Sequence, residues 1–116
     1  MSSSTVTTAR DLLTLAGKIS SKHEILANKL RVVILAIIVA LGNAKWSDIK
    51  ILLEKTVGPV NPNTLAFHIK KLIEAGWIER SGSPESPSYV AKIHEGVRKE
   101  LTELINSIEK IKALRN

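Results

Sequence analysis

Between Asn61 and Gly82 the chain reads NPNTLAFHIKKLIEAGWIERSG, and this stretch gathers the side chains best suited to recognition. Asn63 carries a carboxamide, Thr64 a hydroxyl and Phe67 an apolar ring, while Lys70 and Lys71 carry ammonium groups. A carboxamide matches the paired donor and acceptor on the edge of adenine, and an apolar ring suits a thymine methyl. Ammonium groups suit phosphates, which supply affinity without sequence information. The set reads surfaces; it does not make or break bonds. The chain shows no glycine-rich phosphate loop, nucleophile motif or suggestive carboxylate pair, so neither enzyme activity nor a cofactor is expected.

These side chains need a helix to align them. At about 100° per residue, Leu65, Ile69, Leu72 and Ile73 share one side, and Asn63, Phe67, Lys70 and Glu74 share the other. Phe67, the one phenylalanine of the chain, is therefore expected to face outward. The alternative is that it packs under a neighbouring hairpin or against a partner subunit. His68 lies at the border of the core side and reads as structural. Asn61 before Pro62 reads as an N-cap followed by proline at the first helical position, giving a helix from Pro62 to about Ala75 that Gly76 closes.

Composition bounds the rest. With 116 residues and 44% hydrophobic side chains, the chain is expected to enclose one core. Its net charge of +6 favours an acidic polymer or anionic surface as partner. The absence of cysteine excludes disulfides, thiolate zinc sites and thiol catalysis. His23, His68 and His94 are far apart and show no ligand spacing, so no metal site is expected. The lack of glutamine and cysteine beside abundant Ile, Leu and Lys points to a hot-living source.

Along the chain, residues 1–8 read as a disordered hydroxyl-rich tail. A first helix is expected over Ala9–Ser20, with Leu12, Leu13, Ala16 and Ile19 at helical spacing. SKHE at Ser21–Glu24 fits a capping box that opens a long helix from Lys22 to Leu41, stopped by Gly42. Its run VVILAIIVAL is too short for a bilayer core, which needs about 20 apolar residues, so it reads as a buried helix and no membrane partner is expected. The N-terminus has no apolar h-region, and the expected location is the cytoplasm.

Ser47 reads as the cap of a further helix with Ile49, Leu52 and Leu53 on one face. That helix start, with Lys45 beside it, could hold a phosphate, although a cap needs no ligand. WIER and YVAKI read as two strands around a turn-rich loop, SGSPESPS. His94–Leu114 reads as one amphipathic helix whose Val97, Leu101, Leu104, Ile108 and Ile111 form a heptad seam of about two and a half repeats. The seam is expected to pair with a second copy, or to fold back onto the first helix of its own chain.

The segments LRVVILAIIVAL, WSDIK, NPNTLAFHIKKLIEAGWIER and SYVAKIHEGVRKEL, spanning about Leu30 to Leu101, resemble the winged helix-turn-helix superfamily. Within it they look like the ArsR/MarR-type regulators of bacteria and archaea. The resemblance implies a mainly α fold with a small β-hairpin wing (α+β), a DNA-binding domain over 9–93, and a C-terminal dimerisation helix over 94–116 with the seam as interface. It also implies that Asn63, Thr64, Ala66, Phe67 and Lys70 face base edges of double-stranded DNA, in a nucleoid-associated homodimer that regulates transcription. Lys71, Lys45 and Ser47 would serve the phosphates. The wing departs from the pattern: it carries Glu85 at its tip and one cation, Arg80, at its base, so its expected contacts are to the sugar-phosphate backbone through Ser81, Ser83 and backbone amides. Two other readings stand beside the regulator, an architectural chromatin protein and a winged helix used for protein contacts.

Overall fold

The computed structural model describes residue 16 and residues 28–113. The expected tail, the capping box and the first helix, apart from Ala16, lie outside the described residues; Ala16 is helical and buried. Helix α1 spans Lys29–Leu41. It starts later than the pattern suggests, because Asn28 is extended (φ −97°, ψ 122°) and its side chain accepts from the Arg31 amide at 3.2 Å. Asn28, not Ser21, is thus the cap of this helix. Gly42, with a positive φ of 80°, ends it. All residues from Val32 to Ile38 are buried, so α1 is covered on every side and forms the centre of the molecule. Among the described residues no helix is long and apolar enough to cross a membrane.

A strand absent from the sequence reading follows at once. Strand β1, Asn43–Lys45, pairs antiparallel with β3 through Asn43 and Val90, Ala44 and Tyr89, and Lys45 and Ser88. Helix α2, Trp46–Val57, begins directly after it and packs Ile49, Leu52, Leu53 and Thr56 inward. Lys45 occupies the cap position and makes no side-chain capping bond, so Ser47 lies inside the first turn and does not cap the helix as expected. Gly58 (φ 100°) stops α2, and four residues later α3, Pro62–Glu74, starts as expected, with Asn61 Oδ1 accepting from the Asn63 amide at 2.7 Å.

Strands β2 (Ile78–Ser83) and β3 (Ser86–Ala91) form a hairpin, and the sheet order is β1-β3-β2. The serine-rich run expected to be loop is mostly ladder: Ser81 pairs with Ser88, Gly82 with Pro87 and Ser83 with Ser86. Only Pro84 and Glu85 remain as the connection. The tight return depends on Gly82, whose φ is +82° and whose missing Cβ would stand 2.7 Å from the Ser86 carbonyl oxygen. Neither condition admits another residue without strain. The fold is therefore mostly helical with a three-stranded antiparallel sheet, an α+β arrangement.

The C-terminal helix is broken into α4 (Glu95–Glu100) and α5 (Thr102–Ala113) at Leu101. Its seam does not face outward. Val97, Leu101, Leu104 and Ile108 are buried, Ile111 is half-buried against them, and α5 packs on α1 and α2 of the same chain. The heptad pattern arises because α1 is apolar all round and needs a cover, so a seam expected to pair with a second copy is used inside one chain. The buried polar side chains are each satisfied: Thr56 Oγ1 donates to the Leu53 carbonyl at 3.0 Å, Ser88 bonds Ser81 at 3.0 Å, and His68 accepts from Arg31 at 3.2 Å.

This placement separates an internal seam from a dimer seam. Leu104→Ala is expected to lower unfolding stability by about 2–5 kcal/mol through cavity formation. Urea unfolding at several protein concentrations checks it: the loss and the midpoint are expected to be independent of concentration, as they would not be for a seam between copies.

Candidate functional site

Helix α3 turns Leu65, His68, Ile69 and Leu72 inward and leaves Asn63, Thr64, Ala66, Phe67 and Lys70 exposed. Phe67 is 51% exposed, a large value for the only phenylalanine of the chain. It is not bare, however. The Arg31 guanidinium lies 5.9 Å from its ring centroid and Lys71 Nζ lies 5.5 Å from it, both within cation–π range. The His68 ring meets it edge-on at 5.5 Å and 65°. Two cations and an imidazole thus hold the phenyl ring on the crest of the helix.

The other flank of α3 faces the hairpin across a groove of about 420 Å³. Trp46, Ile69, Ile73 and Tyr89 line it with apolar surface, and Ala66, Lys70, Glu74 and Arg80 frame it. Ile73, assigned to the core side by the helical wheel, is 36% exposed here, because the hairpin stands off from the helix at this point. A second hollow of about 190 Å³ lies between the start of α2 and the hairpin turn, lined by Lys45, Trp46 and Ser47 on one side and Glu85, Ser86 and Pro87 on the other. Trp46 borders both.

The expected site residues therefore fall into three places. Ala66, Lys70 and Arg80 share the groove; Lys45 and Ser47 share the hollow; Phe67 and Lys71 sit on the flank towards α1. Ser83 is engaged elsewhere, its Oγ accepting from the Ser86 amide at 3.1 Å to close the turn. Lys71 is drawn back towards Glu74, 3.8 Å away, as well as over Phe67. Among the described residues, no carboxylate pairs with Lys45, Lys70 or Arg80, which leaves these three charges available to an anion. Arg31, Trp46 and Tyr89 were missed from sequence. Trp46 had a signal, being one of two tryptophans in a chain poor in aromatics; Arg31 had none, since it meets α3 across 37 residues.

His68 has a displaced titration. It is 4% exposed, and its Nδ1 accepts from Arg31 Nε at 3.2 Å. Burial pushes its pKa down from the ordinary 6.5, and the Arg31 charge pushes it the same way. Among the described residues no group of three or more His, Cys, Asp or Glu side chains is placed to hold a metal ion.

Comparison with protein-family models, with curated proteins and with solved structures found no match to this chain. The reading of the site accordingly rests on its geometry.

The lowered pKa of His68 has a sign that can be checked. The unfolded imidazole takes its proton near 6.5 while the folded one resists, so the stability it contributes is complete above that value and is lost as pH falls below it. His68→Gln keeps an acceptor for Arg31 and removes the titration. Urea midpoints measured from neutral pH downward are expected to fall more steeply below 6.5 for the wild type than for His68→Gln.

Proposed function

We propose that this chain is a winged-helix DNA-binding protein, acting as a transcriptional regulator, with α3 laid in the major groove. One observation carries the reading: α2, a four-residue turn and α3 are followed by a hairpin, and α3 keeps Asn63, Thr64, Ala66, Phe67 and Lys70 exposed. Two helices joined by a short turn that contains glycine are the unit that places its second helix in a major groove. The groove admits an α-helix and presents a distinct donor and acceptor pattern for each base pair.

In this arrangement Asn63 meets an adenine edge, Thr64 and Ala66 line the approach, and Phe67 meets a thymine methyl. Lys70 and Arg80, on the two walls of the groove beside the hairpin, reach phosphates on one side of the helix. Lys45 does so at the start of α2, where the backbone amides of the first turn also favour an anion. The hairpin joins through Arg80 at its base, because its two-residue tip carries Glu85 and no cation. Because the C-terminal seam is internal, the proposal stands for one copy on one segment of groove, and two half-sites paired through that seam are not carried forward. The reading implies a non-enzymatic, cytoplasmic, nucleoid-associated protein.

The apolar lining of the groove between α3 and the hairpin favours a second reading, a winged helix that contacts protein, since aromatic residues are enriched at such interfaces. Salt separates the two. Fluorescence anisotropy with a random duplex and a duplex selected from genomic fragments, at two salt concentrations, tests the DNA reading. Phe67→Ala is expected to lose about 1–3 kcal/mol of preference for the selected duplex. Lys70→Ala is expected to weaken binding to both duplexes alike and to lower the salt slope by about one unit. A wild type that binds neither duplex at moderate salt would overturn the proposal.

A further inference from the structure

The cluster on the α1 flank of α3 is built so that an exposed recognition side chain depends on a buried titratable one. Arg31 sits in the first turn of α1, where Asn28 fixes its backbone by capping. From there its guanidinium reaches both His68 Nδ1, at 3.2 Å, and the face of the Phe67 ring, at 5.9 Å. His68 in turn contacts the Phe67 ring edge-on at 5.5 Å. A guanidinium has donors only and keeps its proton in proteins, so the bond to Nδ1 exists only while His68 is neutral with its proton on Nε2.

We propose that Arg31 and His68 form a clamp that positions Phe67 for base contact and opens when His68 takes a proton, making sequence preference in DNA binding dependent on pH. The clamp rests on the DNA reading of α3 for its consequence, though not for its existence. A protonated Nδ1 faces the Arg31 Nε–H donor to donor, and two cations then stand 3.2 Å apart at a residue only 4% exposed. Among the described residues, the charged groups that contact the Phe67 ring are Arg31 from α1 and Lys71 from α3, and Lys71 also engages Glu74 at 3.8 Å. No carboxylate among the described residues contacts His68 to offset the added charge. Arg31 is the partner that yields, being long, flexible and only half-buried, whereas the imidazole is fixed in the core between Leu65 and Leu72 of the same helix. Its departure removes one of the two cations from the Phe67 ring and loosens the hold on it.

The test has two arms, one of which needs no DNA. NMR of the full chain with labelled histidine and phenylalanine rings, titrated from about pH 8 to about pH 5, reads the clamp directly. The expected result is an Nε2-protonated neutral His68 at the upper end and Phe67 ring signals that move with the His68 titration. An imidazole that stays neutral throughout, or Phe67 signals that ignore its protonation, would overturn the proposal. In the second arm, the ratio of affinities for selected and random duplex is expected to fall about tenfold over the same range for the wild type, as for loss of one base contact, and to stay level for His68→Gln. Equal losses in both proteins would sink the clamp as the cause. If neither duplex binds at any pH, the DNA reading fails and the NMR arm alone decides the clamp.

Discussion

Everything in this fold follows from one constraint: a helix that is apolar on all sides cannot lie at a surface. Val32–Ile38 is an unbroken run of buried residues, so α1 has to be enclosed, and most of the other described elements take part in enclosing it. Helices α2, α3 and α5 and strands β1 and β3 all pack against it. Each gives one face to that task. The far face of α3 is what remains, and its availability for recognition is a by-product of where the centre of the molecule lies. Arg31 belongs to the same constraint, because it is the last polar side chain before the apolar run begins. It stands where α1 emerges, and that is where it meets His68 and Phe67.

The parts that sequence reveals are those whose physics is local. Asn61 and Pro62 fix the start of α3 through a cap and a preset φ, and the helical period then puts Phe67 outside without any tertiary information. Gly42, Gly58 and Gly76 mark ends of helices because each holds a positive φ. The misses are non-local. Strand β1 has three residues, too few for any period, and exists because β3 offers it a ladder from 45 residues away at Ala44 and Tyr89. The length of the hairpin is hidden because serine, glycine and proline favour turns; here pairing with a neighbouring strand overrides that preference. The seam of the C-terminal helices was seen correctly as apolar, but a periodic stripe does not say which surface covers it. The groove floor was illegible for the same reason: Trp46, Ile73 and Tyr89 come from three elements and meet only after folding.

Three cations around α3 are left without an ion pair. Lys45, Lys70 and Arg80 lack carboxylate partners among the described residues, whereas Lys50 pairs with Glu54 and Lys112 with Glu109. Such exposed pairs add little stability.

The sheet order leaves β2 with one side unpaired, its amides and carbonyls turned to solvent. An outer strand of this kind is a template on which a foreign strand can grow, the usual start of uncontrolled association. Here its sequence resists that role. Glu79 and Arg80 place charge on the margin, five of its six residues are exposed, and Gly82 twists the backbone out of the extended geometry that a continuing ladder requires. The glycine that makes the return tight therefore also interrupts the open edge of β2 as a template for a strand from a neighbouring molecule.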